Sequence, residues 1–174
     1  MPLPTDGKGL DLLYLDLDGC LHHEAVFWSP KRGPYLKAPE KYKLFEHASL
    51  LEELLAPYPE VRIILSTSWV VRYGYLKASK KLTPGLRARC IGSTYHYGIK
   101  GDAWHHLSRG EQVTRDAAVR QPRSWLALDD DGVDWPVATL GNFIQTDPYE
   151  GIGLPDIQAA IRERLQSMAA SGTN

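Results

Sequence analysis

The stretch Leu12-Leu13-Tyr14-Leu15-Asp16-Leu17-Asp18-Gly19 decides how this chain folds. Apolar residues occupy nearly every position from Leu12 to Leu17, the pattern of a strand buried on both faces, and Asp18-Gly19 supplies the turn that ends it. Strands of that kind belong to parallel sheets covered by helices on both sides. Asp16 is out of character there. A carboxylate held inside an apolar strand without a partner is costly, and a bound cation is the simplest compensation.

Outward from this strand the same pattern recurs. Val61 to Leu65 reads as a second buried strand followed by Ser66-Thr67-Ser68, and Trp125 to Leu128 as a third that stops at Asp129-Asp130-Asp131. Arg89 to Ile91 and Asn142 to Gln145 are two weaker strands. Helical patterns lie between them. Leu44, Leu50, Leu51, Leu54 and Leu55 give one apolar face to a helix over residues 44–56, closed by Pro57 and Pro59. Glu111 to Arg120 reads as a shorter helix with Ser108 as its N-cap and Pro122 beyond its end. Pro155 and Asp156 open a last helix with Ile157, Ile161 and Leu165 on one face, and Ser171-Gly172-Thr173-Asn174 reads as a polar tail. Short apolar strands alternating with helices imply a mostly parallel sheet, in an α/β fold.

Leu21 to Tyr42 has no clean period and leaves directly from the Asp16 turn. Phe27, Trp28 and Tyr35 argue for an ordered flap there rather than a disordered loop. With 174 residues, one domain over 1–174 is expected, with 21–42 a flap-like insert and 169–174 a flexible tail. The composition, 43% apolar and 24% charged with a net charge of −1, is that of a globular chain and advertises neither nucleic acid nor an anionic membrane. Cys20 and Cys90 are too few for a disulfide framework, and neither a signal peptide nor a run near the ~18 apolar residues of a membrane span is visible. The expectation is a soluble cytoplasmic protein with no membrane partner.

Ligands of a parallel sheet gather at the carboxyl ends of its strands. All three strong strands end there in reactive residues: Asp16-Leu17-Asp18-Gly19, Ser66-Thr67-Ser68 and Asp129-Asp130-Asp131. These motifs, in this order, resemble the haloacid dehalogenase-like (HAD) superfamily over nearly the whole chain. Leu65-Ser66-Thr67-Ser68-Trp69, Ile91-Gly92-Ser93-Thr94, Arg109 to Val113, Trp125 to Asp131, Thr146-Asp147 and Gly151 are similar, more narrowly, to small capless members: the HAD domains of the Swiss Army Knife RNA repair group. The fold implied is a Rossmann-like three-layer sandwich with Leu12–Leu17 central between the Val61 and Trp125 strands. No insert is large enough for a full cap domain.

The resemblance implies a phosphomonoester hydrolase. Asp16 would attack phosphorus to give an aspartyl-phosphate, and Asp18 would protonate the leaving oxygen and then activate water. Thr67 would hydrogen-bond the phosphoryl group, with Ser66 the competing hydroxyl and Ser68 a further substrate contact. Mg²⁺ would be held by Asp16, the Asp18 carbonyl and Asp129, with Asp130 on metal-bound water and Asp134 supporting the loop. The basic residue is open among Arg109, Lys100 and Arg120, with Arg109 the best fit. Three rival functions are a phosphorylated receiver module, which the order of the motifs disfavours, a non-catalytic binding module, and a polynucleotide-end phosphatase of nucleic-acid repair. The substrate is phosphorylated in either enzymatic reading, a small molecule or a nucleic-acid end.

Several features admit plainer readings. His22-His23 and His105-His106 with Cys20 do not have zinc spacing; His22 or His23 belongs to the flap near substrate or is solvated. Trp69 is either a wall of the leaving-group pocket or a core residue, and Cys20 is a small turn residue. Lys77, Lys80 and Lys81 with Tyr73 and Tyr75 are either a solvated face or a polynucleotide contact.

Overall fold

The structure, a computed structural model, describes residues 6–96 and 102–172. Five parallel strands form the central sheet: β1 (Asp11–Leu15), β4 (Arg62–Leu65), β5 (Cys90–Ser93), β6 (Ser124–Asp129) and β7 (Phe143–Gln145), in the order β5-β4-β1-β6-β7. β1 lies in the middle, paired with β4 on one side and β6 on the other, as expected. The residues of β1 divide between two faces. Leu13 and Leu15 join a core built with α1 (Ala48–Leu55), α2 (Ser68–Tyr73), α3 (Tyr75–Ser79), α4 (Pro84–Arg89) and α7 (Pro155–Ser171), whereas Leu12 and Tyr14 pack with Val113 and Ala117 of α6 (Arg109–Arg120). A one-turn helix, α5 (Asp102–His105), precedes α6.

The ladder runs one residue past β1, β4, β5 and β7. Asp16 N–H donates to Leu128 O at 3.1 Å, Ser66 N–H to Leu15 O at 2.8 Å, Thr94 N–H to Leu65 O at 3.0 Å, and Thr146 N–H to Asp129 O at 3.0 Å. These bonds set the polar residues side by side along one edge of the sheet, where its loops begin.

Three sequence expectations need correction. Residues 44–47 are not helical: Phe45 sits at φ 58°, which a right-handed helix cannot contain, so α1 starts at Ala48. Residues 21–42 are more regular than their pattern suggested. Val26–Ser29 (β2) and Gly33–Leu36 (β3) pair antiparallel as a hairpin, turning at Pro30-Lys31-Arg32 into Gly33 at φ 68°. The periodicity was hidden because no face of the hairpin is fully buried, whereas the turn residues carried the signal. Finally, α7 runs through Ser171, into the stretch expected as a tail, because Met168 is still buried and Ala169 and Ala170 favour helix.

Among the described residues the hairpin is the one insertion above the sheet, and they include no cap domain. No described helix is long and apolar enough to cross a membrane.

Candidate active site

The site begins with the loop that leaves β1. Gly19 adopts φ 70°, and a Cβ there would lie 2.3 Å from the Asp130 carboxyl carbon, so only glycine lets the two acidic loops meet. The loop is braced from the far end of the chain. Thr146 Oγ1 donates to Gly19 O at 2.6 Å, and Ile152 N–H donates to Cys20 O at 2.9 Å. Gly151, at φ 51°, passes so close that a Cβ would lie 2.1 Å from Cys20 O.

Asp16 is buried, 3% exposed, and Asp129 is buried beside it. One carboxylate oxygen from each of Asp16, Asp129 and Asp130 falls within 4.8 Å of the other two. Arg109, at the first position of α6, reaches into this group: its Nη2 lies 3.6 Å from Asp16 Oδ1 and its Nε 3.7 Å from Asp129 Oδ2. Those two oxygens are buried and accept no hydrogen bond from the described residues, since Arg109 stands beyond that range.

The electrostatics follow from burial. It pushes the Asp16 carboxyl up to about 6, with the charge of Asp18 adding to it, against the pull of Arg109, the Leu17 backbone and the Thr67 side chain. Asp129 is raised well above the carboxylate range by burial and by Asp16, in spite of Arg109. Burial, Asp16 and Glu24 push Asp130 up to about 7. Burial also works against the charge of Arg109, but Asp16 and Asp129 outweigh it and its pKa rises. One cation among three carboxylates leaves negative charge to be neutralised. Buried, hard oxygen donors with free lone pairs are the donor set that Mg²⁺ takes, so the residues present fit that ion.

Of the other sequence candidates, Thr67 is buried, caps α2 by accepting the Trp69 N–H at 3.4 Å, and acts electrostatically on Asp16. Ser66 is also buried but its Oγ has no hydrogen-bond partner among the described residues, and Ser68 is exposed on the rim of the neighbouring pocket. Lys100 lies outside the described residues. Arg120 is nowhere near the acids. It is 1% exposed beneath α6, with its Nε 2.7 Å from Asp116 Oδ2 and its guanidinium donating to Asp6 O and Ser93 O. Its place at the end of α6 made it a candidate, but the helix points its first residue, not its last, at the site.

Asp134 contributes through its backbone: its carbonyl accepts from Ser108 Oγ at 3.1 Å, which ties the loop after β6 to the start of α6. Among the described residues, the acidic trio is the only group placed to hold a metal, so the histidine pairs and Cys20 do not gather. Cys20 packs its Sγ 3.1 Å from Thr146 Oγ1, and His23 lies between Tyr42 and Tyr149. His22 is fully buried rather than solvated.

Trp69 turns out to be both core and site. It is 3% exposed, yet its Nε1–H donates to Asp18 Oδ1 at 2.7 Å and its ring lines a pocket of about 110 Å³ with Asp18, Val26, Phe27, Arg72 and Tyr73. Sequence reasoning missed Trp104, whose ring lies 5.9 Å from the Arg109 guanidinium. It also missed Arg72, which lines the Asp18 pocket. Neither carries a motif; each is brought to the site by helices whose packing no local pattern encodes.

The fold and site together define a class: doubly wound α/β domains whose chemistry lies in an acidic cleft at the carboxyl edge of the sheet, with a carboxylate at the end of the central strand. Residues 12–157 match the family described as the HAD domain in Swiss Army Knife RNA repair proteins, and the chain belongs to that family of HAD-type hydrolase domains. No curated protein and no solved structure matches it.

Proposed function

We propose that this chain is a Mg²⁺-dependent phosphomonoester hydrolase that works through an aspartyl-phosphate on Asp16. The observation that carries the reading is the buried Asp16 carboxylate, whose Oδ1 accepts no hydrogen bond among the described residues and faces Arg109 and two further acids at the edge of the sheet. Mg²⁺ held by Asp16, Asp129, Asp130 and the Asp18 carbonyl would neutralise charge on the phosphate and on the attacking carboxylate.

The chain's own residues do the rest. A carboxylate oxygen of Asp16 attacks phosphorus as the bond to the leaving oxygen breaks, and Asp18 gives its proton to that oxygen. Arg109 and Thr67 hold the phosphoryl oxygens, where negative charge is concentrated. Asp18, now ionised, takes a proton from water as the water oxygen attacks phosphorus. The bond between phosphorus and Asp16 breaks and inorganic phosphate leaves.

The test is a screen of phosphorylated metabolites, nucleotides and 3′- or 5′-phosphorylated oligonucleotides with Mg²⁺. Phosphate release that disappears in Asp16→Asn is the expected result. A wild-type protein that binds such ligands without releasing phosphate would instead support the non-catalytic binding module.

One observation favours a nucleic-acid end as the substrate. Tyr73, on the wall of the Asp18 pocket, also lines a broader depression of about 400 Å³ with Pro34, Lys77, Lys80 and Lys81. No Asp or Glu occurs anywhere from Val61 to Gly101, or from Ala25 to Pro39, the segments that supply both walls. A chain of net charge −1 thus collects cations in two adjoining hollows that meet at Tyr73, one of them holding the proposed acid, with the ring of Phe27 beside it. Cations following a backbone with aromatic faces for bases suit a single strand. Under this reading Lys80→Ala with Lys81→Ala raises KM for a phosphorylated oligonucleotide, most at low salt, and leaves p-nitrophenyl phosphate unaffected. Equal effects on both substrates would point to a small-molecule phosphatase.

A further inference from the structure

Asp18 is held by two side chains from separate segments, His22 and Trp69. Its Oδ1 sits 2.9 Å from His22 Nε2 and accepts the Trp69 Nε1–H at 2.7 Å. The other imidazole nitrogen settles the direction of the first bond. His22 Nδ1 lies 3.1 Å from the Phe45 backbone N–H, a group that can only donate, so Nδ1 is the acceptor and the ring proton is on Nε2, aimed at Asp18. The residue that breaks the helical pattern before α1, Phe45 at φ 58°, is therefore the one that orients the histidine. His22 has no exposed surface, and its ring is enclosed by Phe45 and Trp69 at 4.7 and 5.9 Å between centroids.

Two N–H donors thus converge on one oxygen of Asp18. Its other oxygen, Oδ2, takes no hydrogen bond among the described residues, while the side chain keeps 28% of its surface open and lines the pocket. A protonated carboxyl has one carbonyl oxygen, which accepts, and one hydroxyl oxygen, which donates. With Oδ1 committed as acceptor to both donors, the hydroxyl can only be Oδ2.

We infer that His22 and Trp69 are positioning residues that clamp Oδ1 of Asp18 and so present Oδ2 as the oxygen that hands its proton to the leaving group and later receives one from water. The inference rests on the proposed acid–base role of Asp18. Neither His22 nor Trp69 exchanges a proton with substrate. Each acts through Asp18, removing the rotation about the Asp18 carboxyl that would otherwise place either oxygen, or neither, in line with the leaving oxygen.

The experiment uses the full chain with Mg²⁺ and measures, by rapid acid quench under single-turnover conditions, the rate at which phosphate is transferred to the enzyme. Two substrates are compared: p-nitrophenyl phosphate, whose leaving group needs little protonation, and a nucleoside monophosphate, whose alkoxide needs it. Trp69→Phe keeps an aromatic ring in the core and removes only the donor; His22→Gln replaces the imidazole Nε2 by an amide N–H, whereas His22→Ala removes it. Trp69→Phe and His22→Ala are expected to slow transfer from the nucleotide by about 10-fold or more and transfer from p-nitrophenyl phosphate by less than about 2-fold, with His22→Gln recovering much of the loss.

A structural role alone would slow both substrates alike, and that result overturns the inference, as does an unchanged rate with the nucleotide in Trp69→Phe. Asp18→Asn separates the two levels. If it loses the nucleotide reaction selectively while Trp69→Phe and the His22 variants do not, the clamp is wrong and the acid stands. If Asp18→Asn shows no dependence on the leaving group, the acid role falls and the clamp with it.

Discussion

Asp16 and Asp18 are two residues apart, yet the fold gives them opposite surroundings. Asp16 lies at the end of the central strand with an oxygen that takes no hydrogen bond among the described residues and faces Arg109, whereas Asp18 is turned back by Gly19 onto two N–H donors. Their proposed roles are separable by kinetics. Asp16→Asn should neither become phosphorylated nor turn over any substrate. Asp18→Asn should still accept phosphate from p-nitrophenyl phosphate but clear it slowly, giving a nitrophenol burst of about one equivalent per active site. Acid-quenched mass spectrometry should locate the phosphoryl group on the Asp16 peptide. A wild-type steady state in Asp18→Asn would exclude the mechanism.

Two arginines of α6 make a second contrast at this scale. Arg109→Ala should lower kcat by at least ~10²-fold with little change in the fold, the loss expected on removing one charge-stabilising donor. Arg120→Ala should do the reverse. It leaves Asp116 buried without its 2.7 Å partner, which should cost about 3–5 kcal/mol in urea unfolding while the Mg²⁺-supported rate per folded molecule stays near wild type. If activity followed Arg120 instead, the site would be misassigned.

At the scale of elements, the start of α6 links stability to chemistry. Ser108 Oγ accepts the Glu111 N–H at 3.2 Å and Glu111 Oε2 accepts the Ser108 N–H at 2.9 Å, a reciprocal cap directly before Arg109. Ser108 Oγ also donates to Asp134 O at 3.1 Å, which binds the cap to the loop carrying the acids. Ser108→Ala should therefore cost about 1 kcal/mol by urea titration and, unlike an ordinary cap mutation, also lower kcat. A stability loss with kcat unchanged would mean that Arg109 is held by its own contacts and not by the cap. The Ser108 cap could be read from its spacing to Glu111. The hairpin could not be read from periodicity, because its side chains are only half covered, and its turn through Gly33 was the signal available.

Across the whole molecule, the acidic edge of the sheet is a local cost that folding accepts. Burial, first among the causes, raises Asp16 to about 6 and Asp130 to about 7, above their ordinary value of 3.8. The folded metal-free chain therefore binds protons that the unfolded chain does not, and its stability should rise as pH falls through about 7 and 6. The gain is absent above about pH 7, where both states are ionised at Asp130. Mg²⁺ should do the opposite, raising Tm most near pH 8 and least near pH 5.5, and Asp129→Ala should abolish the rise. Scanning fluorimetry at the two pH values with and without Mg²⁺ checks this. A Tm indifferent to Mg²⁺ at pH 8 would count heavily against the metal site.

The sequence by itself determined the sheet, its central strand and the acids at its edge. A doubly buried strand must be apolar at almost every position, so Leu12 to Leu17, Val61 to Leu65 and Trp125 to Leu128 stand out locally, and parallel strands send their reactive ends to one side. It also placed the motifs in an order that one family shares. Only the tertiary structure separated Arg109 from Arg120, because the two lie on one helix and differ in what that helix turns toward the cleft and what it turns into the core. It alone disclosed the surroundings of Asp18. Phe45, His22 and Trp69 come from three separate segments with no common spacing, and their hydrogen bonds exist only after β1, α1 and α2 have packed together. Contacts between distant segments leave no period in a sequence, whereas burial of a strand leaves one at every residue.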